Sequence, residues 1–374
     1  CVANRIVNGK QHALTWHVDD IKSSHLETKV NDHFKEWLEM KYGEDGIGKV
    51  KVTRGAKHDY LVMNLDFSEQ GKVKIDMVDY ATNMCKDFPE KLGHVSTPWT
   101  KNLFKVDDKL PPLPENKKNT FHTFTMKGMF LCKCARQDLQ PGIAFFSTRT
   151  SKPNIGDWKK LIRFMNFLNH TKEDVLTLEA DDSQTIRWHI DAAFAVHDDY
   201  KSQTGATCSL GKGSASSNCL KQKSNTRSST EAEMVGADDV VTKVVWTQYF
   251  ITAQGFKVKT VVYRDNTSTM KLEINGKASS GKRTRHFHVK YFYITDLIKR
   301  QVISVEYCPT DQMVGDYTTK PLIGFKFKYF RAWIMNLPEF DELASRSVLA
   351  NKTQSVTSLS KGEKLLPGGI TATG

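Results

Sequence analysis

The sequence predicts a mixed α/β protein: a five-stranded mixed sheet flanked by helices forms the second half, and a smaller α+β region precedes it. Three observations predict this. Segments 185–196, 205–210 and 215–222 are β-prone runs in close succession, with Gly211 and Gly213 in the second turn, so they read as antiparallel strands. Past them the pattern alternates: a helical region over 230–250, a strand over 258–263, a short helix after Asp265, a helix over 286–299 and a strand over 302–307. Strands in a row followed by alternating helices and strands imply a mixed sheet with helices packed on it. Finally, residues 1–75 break short β-prone runs with glycine turns.

From the start of the chain, residues 5–22 read as a hairpin turning at Asn8-Gly9, its second run continuing through Ile21. That run carries adjacent carboxylates, Asp19 and Asp20, beside Trp16, Val18 and Ile21; alone, such a pair reads as a solvated turn. Val30, Phe34, Trp37 and Leu38 recur at helical spacing and end near Gly43. A strand-turn-strand meander follows over 49–53, 59–67 and 73–75, with turns at Gly55 and Gly71, then a short helix over 77–88. Residues 107–120, rich in Pro, Lys and Asn, read as a linker. Segments 121–134 and 158–168 look helical. In the second, Trp158, Leu161, Ile162, Met165 and Leu168 form a core-facing stripe; Lys159, Lys160 and Arg163 lie opposite, where they could touch a phosphate backbone. Residues 351–374 are Ser/Thr/Gly/Lys-rich and read as disordered.

At 374 residues the chain has room for two or three domains, and 26% charged with 39% hydrophobic residues suits ordinary globular structure. A formal charge of +12 suggests a polyanionic partner, nucleic acid or an anionic membrane surface. No apolar run approaches the length of a spanning helix, so that class is excluded and no membrane partner is expected. Seven cysteines lack disulfide-scaffold or zinc spacing, Cys132 and Cys134 being the only close pair, which fits free thiols in a reducing compartment. Without a signal peptide, cytosol or nucleus is expected. Because the chain starts at Cys1 inside an ordered-looking segment, it is expected to be a fragment or processed product.

Four acids stand where elements begin or end: Asp191 in the strand 185–196, Glu233 in the first turns of the helix 230–250, Asp265 closing the strand 258–263, and Asp316 before Tyr317-Thr-Thr-Lys-Pro321. Carboxylates that converge from separate elements repel one another, and divalent cations relieve that repulsion. Each acid also has a structural alternative. Glu231, three residues after Ser228, fits a capping box, and Glu233 could answer Thr230 in the same way. Asp265 could cap the helix after it, and Asp316 could be an N-cap before Tyr317. Lys212, Lys221, Lys223 and Arg227 form one basic cluster; Lys277, Lys282, Arg283 and Arg285 form another, and both suit a nucleic-acid track or a solvated face.

Several of these blocks together resemble one family, the C-terminal part of the Pol polyprotein of copia-type LTR retrotransposons. Trp16-His17-Val18-Asp19-Asp20 resembles the second aspartate box of their reverse transcriptases, with His17 at the usual tyrosine position. Asp59-Tyr-Leu-Val-Met63 resembles the element after it, with Val62 where glycine is usual. Ser228-Ser-Thr-Glu-Ala-Glu233, Tyr263-Arg-Asp-Asn266, Lys282-Arg-Thr-Arg-His286, Tyr307-Cys-Pro-Thr310 and residues 316–322 resemble the ribonuclease H module of the same polyprotein.

The resemblance implies a polymerase palm remnant and start of thumb over 1–100, a thumb or connection region over 101–184, a ribonuclease H-like domain over 185–325, and a basic helix with a disordered tail over 326–374. By carry-over, Asp191, Glu233, Asp265 and Asp316 would hold two Mg²⁺ ions, Mn²⁺ being an alternative, about 4 Å apart. His286 would assist proton transfer or product release; it equally fits a phosphate contact or a surface histidine. The implied activity is hydrolysis of RNA in RNA:DNA hybrids, with Lys212, Lys221, Lys223, Arg227, Lys282, Arg283 and Arg285 contacting nucleic acid. Asp19 and Asp20 belong to a polymerase part that is inactive alone and functional within a longer polyprotein. The implied partners are the hybrid, template RNA, nascent cDNA and the rest of Pol, in a cytoplasmic virus-like particle or the nucleus. The alternatives are a decayed relic that binds nucleic acid without chemistry and a host protein reusing the fold as an interaction module.

Overall fold

Two tight turns shape the first sheet of the computed structural model, which describes residues 1–43, 50–276 and 289–347. Strand β1 (Val2–Val7) pairs antiparallel with β2 (Lys10–His17) across Asn8 and Gly9, both at positive φ, as a hairpin turn of this type requires. The second run does not continue through Ile21. It turns at Val18 and Asp19, and β3 (Asp20–Ser24) pairs back on β2 with His17 opposite Asp20. Helix α1 (Thr28–Tyr42) follows and ends at Gly43.

The expected strand at 49–53 is absent over its described residues, 50–53, and 59–67 is not a single strand. Instead β4 (Lys57–Tyr60) and β5 (Met63–Asp66) pair across Leu61 and Val62, both at positive φ. A β-branched residue there is strained by roughly 1–2 kcal/mol, which explains why the valine hid the turn. Next, β6 (Lys72–Asp76) pairs with β5, and α2 (Val78–Asp87) closes this stretch.

The Pro-rich segment is no free linker. Leu113 is buried and bonded to Pro153 O, and α3 (Glu115–Cys134) starts directly after Pro114, six residues before the expected start at 121. With α4 (Gln140–Arg149) and α5 (Ile155–His170), α3 packs on edge-to-face aromatics, Phe121–Phe146 at 5.7 Å and Phe146–Phe164 at 5.6 Å. The α5 stripe is buried as expected except for half-buried Ile162, whereas Lys160 donates to Leu103 O at 2.9 Å and Arg163 to Thr97, so these two cations are tied to a loop. Neither α4 nor β7 (Leu176–Ala180) has a counterpart among the expected elements. Strand β7 pairs with β6.

The five strands of the second half are present. In order they are β8 (Thr185–Ala193), β9 (Gln203–Ser209), β11 (Ser216–Lys221), β12 (Lys259–Arg264) and β13 (Ser304–Tyr307), arranged β11-β9-β8-β12-β13. The pairs β11–β9 and β9–β8 are antiparallel, while β8–β12 and β12–β13 are parallel. Helix α6 (Ser229–Ala253) buries Ala237, Val240, Val241 and Val244 against Ile186, Trp188, Ile190 and Val262. Helices α7 (Thr267–Asn275), α8 (Tyr293–Lys299), α9 (Gly315–Thr319) and α10 (Gly324–Met335) complete the layers. Between β9 and β11, the short strand β10 (Gly211–Lys212) adds itself to the edge of the other sheet, Gly211 opposite Ala180 of β7. A Cβ on Gly211 would stand 2.0 Å from Glu179 O, so only glycine fits.

The chain divides into two units, Cys1–Leu337 and Pro338–Gly374. An expected boundary at 325/326 falls inside α10, whose Phe327 and Phe330 are buried. Among the described residues no helix is long and apolar enough to cross a membrane. All seven cysteines are free, five of them buried.

A buried ion cluster ties the helical layer to the C-terminal elements. Asp138, fully buried, accepts from Arg136 Nε and Nη2 and from Arg331 Nε, each at 2.9 Å, and its carbonyl accepts from Tyr317 Oη at 2.7 Å. Burial is the largest influence on its carboxyl and acts upward, but the two guanidinium groups outweigh it and hold the pKa at about 2. Replacing Asp138 by Asn leaves Arg136 without its anion and Arg331 with Asp174 alone, and urea denaturation should show a loss of about 3–5 kcal/mol. Because the folded pKa lies below the unfolded 3.8, the wild-type contribution is full above that value and lost as pH falls through about 2.

Candidate active site

Parallel register brings the first two acids together. Strand β12 pairs with β8 with Tyr263 opposite His189, and the same register carried two residues further sets Asp265, just past β12, beside Asp191 in β8. Asp316 arrives from α9, which lies against β8 and β9 because two positions there lack a Cβ. One on Gly315 would meet Asp191 Cβ at 3.0 Å; one on Gly205 would meet Thr318 Oγ1 at 2.3 Å and Thr319 Cγ2 at 2.5 Å. One carboxylate oxygen each from Asp191, Asp265 and Asp316 therefore lies within 4.8 Å of the others. Asp191 and Asp316 are buried and Asp265 is half-buried.

Glu233 stands behind this trio and is not a member of it. It stands near Asp191 and forms an ion pair with Arg264 at 3.3 Å. Burial, with the nearby Asp191 and Asp265 charges, lifts its carboxyl well above the usual range despite Arg264. Arg264 is itself 1% exposed. It donates to Ile190 O at 2.9 Å and to Glu233 O at 2.8 Å, and pairs with the wholly buried Glu273 at 2.9 Å.

The structural alternatives separate clearly. Asn266, not Asp265, caps α7 by accepting from Ser268 N and Thr269 N at 3.1 Å. Asp265 instead accepts from Thr310 Oγ1 at 3.1 Å. Asp316 is no N-cap; it lies in the first turn of α9 and binds Lys320 and, at 2.6 Å, Lys326. Ser228 caps α6 through Glu231 N at 3.2 Å, and Glu231 accepts from Arg227 N at 2.7 Å, a capping arrangement shifted by one residue. Burial and Asp191 raise the Asp316 carboxyl against the two lysines. Lys320 is raised because Asp191 and Asp316 together outweigh its burial.

Of the basic residues, Lys212 sits on β10 with Glu179 at 3.8 Å and Lys221 meets Asp199 at 2.9 Å; Lys223 and Arg227 are exposed just before α6. Lys277, Lys282, Arg283, Arg285 and His286 lie outside the described residues. Asp19 and Asp20 are exposed at the β2–β3 turn. Sequence reasoning missed Arg264, Glu273, Lys320 and Lys326. Only Lys320 had a readable signal, its spacing of four from Asp316.

Fold and site together define a carboxylate cluster suited to a divalent cation on a mixed α/β scaffold. The chain is similar to retrovirus-related Pol polyproteins of plant transposons. It is 26% identical over 241 residues to that of transposon TNT 1-94 from Nicotiana tabacum, a match covering 63% of this chain and 18% of the polyprotein. It is 28% identical over 198 residues to that of transposon RE2 from Arabidopsis thaliana, covering 52% and 14%. Against transposon RE1 of the same plant it is 27% identical over 202 residues, again covering 52% and 14%. The chain thus spans less than a fifth of the length of the curated relatives it matches. No family model matches. Among solved structures it is similar to the N-terminal ribonuclease H domain of a Mycobacterium tuberculosis protein fused to maltose-binding protein. That likeness has a TM-score of 0.28 and 11% identity over 36% of this chain and 90% of that one.

The close approach of α9 is testable. Gly205→Ala forces Thr318 and Thr319 away, and thermal melting should show a loss of about 1–3 kcal/mol, with weaker divalent-cation binding as Asp316 moves off.

Proposed function

We propose that this chain is part of a copia-type retrotransposon Pol polyprotein and that residues 185–325 are a ribonuclease H-like domain that hydrolyses RNA in RNA:DNA hybrids. The observation that carries this reading is the convergence of Asp191, Asp265 and Asp316 from β8, the end of β12 and α9. Three hard oxygen donors fit Mg²⁺, and also Mn²⁺, better than a soft metal. Asp191, Asp265 and Asp316 would hold the first ion, and Glu233, once released from Arg264, would complete the set for a second. Two ions bound there would supply an activated water and offset charge on the scissile phosphate.

The chain's own groups prepare this. Thr319 Oγ1 donates to Asp191 Oδ2 and Thr310 Oγ1 to Asp265, so both carboxylates are fixed before substrate arrives. Lys223 and Arg227 lead toward the start of α6 and supply cations for the backbone, with Lys212, Lys221, Lys282, Arg283 and Arg285 as further contacts. His286 would serve proton transfer or product release. The ribose 2′-hydroxyl, a donor and acceptor that DNA lacks, would distinguish the RNA strand. Residues 1–100 and 101–184 are read as palm, thumb and connection without independent DNA synthesis, Asp19 and Asp20 becoming metal ligands only in a longer polyprotein. Template RNA, nascent cDNA and the rest of Pol are the proposed partners, in cytoplasmic particles or the nucleus. A decayed relic is the second reading, favoured by Val62 at a φ of 65° in the β4–β5 turn.

A labelled RNA:DNA hybrid with Mg²⁺ tests this on a gel. Cleavage by the wild type should fall about a hundredfold or more in Asp191→Asn. Hybrid binding with no cleavage by the wild type would leave the relic.

A further inference from the structure

The acids of the site carry their own cations. Lys320 Nζ holds Asp316 Oδ1 and reaches Asp191 Oδ2 at 3.6 Å, and Lys326 Nζ holds Asp316 Oδ2 at 2.6 Å. Lys326 is anchored a second time by Thr310 O at 3.2 Å, on the residue whose hydroxyl bonds Asp265. These lysines come from different places, one just past α9 and one in α10, so their meeting on Asp316 is not a single helical pair. Each oxygen that Asp316 could offer a divalent ion therefore already accepts from an ammonium group. Yet the side chains remain 39% and 37% exposed, within reach of an external anion.

We infer that Lys320 and Lys326 are resident counter-cations that compete with the divalent ion for Asp316, and that a nucleic-acid phosphate backbone relieves the competition by drawing them off. The inference rests on the cation site of the proposed function and adds a coupling between its two ligands. An ammonium group and a divalent ion cannot share one carboxylate oxygen at full strength. Phosphates offer the lysines an alternative anion, so metal and nucleic acid should each bind more tightly when the other is present, by the same factor.

Calorimetric titration of the full chain with Mn²⁺ tests this. Lys320→Gln and Lys326→Gln should each lower the Mn²⁺ Kd about tenfold, since a positive charge within about 4 Å is removed. Lys326→Arg, which keeps the charge, should bind as the wild type does. A saturating DNA duplex, corrected for Mn²⁺ bound by the duplex alone, should tighten the wild type by a similar factor and the Gln variants by less. Equal or weaker Mn²⁺ binding by both Gln variants, or equal tightening of wild type and variants by the duplex, overturns the inference alone. No Mn²⁺ binding by any of these proteins overturns the cation site and the inference with it.

Discussion

Carboxylates forced together away from water repel one another, and the second half of this protein is arranged around that repulsion. Asp191, Glu233 and Asp316 are 2%, 5% and 1% exposed, with Asp265 beside them. Left ionised and unpaired, such a group would be too costly to bury. The compensation comes in layers. Arg264 lies beneath and pairs with Glu233 and Glu273, and Lys320 and Lys326 cover Asp316 from the solvent side.

The same requirement reaches the backbone. Bringing α9 within reach of β8 needs bare positions at Gly205 and Gly315, because an ordinary Cβ would push Asp316 away from Asp191. What holds α9 from behind is Asp138, whose carbonyl takes the Tyr317 hydroxyl while its carboxylate binds Arg331 of α10. Strand β10 makes a second join, inserting two residues of the β9–β11 connection into the edge next to β7. The helical layer is thus part of the support of the acid site, not a separate body beside it.

Much of this was legible because strands and acids obey short-range rules. β-branched and aromatic residues marked β8 and β12, Gly211 and Gly213 marked the turn between β9 and β11, and parallel pairing of β8 with β12 then placed Asp191 and Asp265 together almost automatically. What stayed hidden depends on partners remote in sequence. Strand β7 is five residues that gain meaning only from β6 and β10, and α4 lacks a polar face because it is buried among other helices. Leu61 and Val62 masked a turn, since neither favours the positive φ it adopts there. Nothing local to Arg264 or Glu273 says that a guanidinium ends up under an acid cluster.

Asp19 and Asp20 show the converse. They are adjacent acids too, but they stand exposed on a two-residue turn next to Val18 at a φ of 53°. Water solvates both carboxylates there, so their proximity costs little and requires neither a buried arginine nor a lysine lid. Burial is what makes an acid cluster informative: it converts a coincidence of residue types into an electrostatic problem that only a proton, a cation or a fixed positive side chain can solve. In the second half fixed positive side chains answer it: Arg264 at Glu233 and Glu273, Lys320 and Lys326 at Asp316. That burial with compensation, and not the count of acids, is what sets the cluster in residues 185–325 apart from the exposed N-terminal pair.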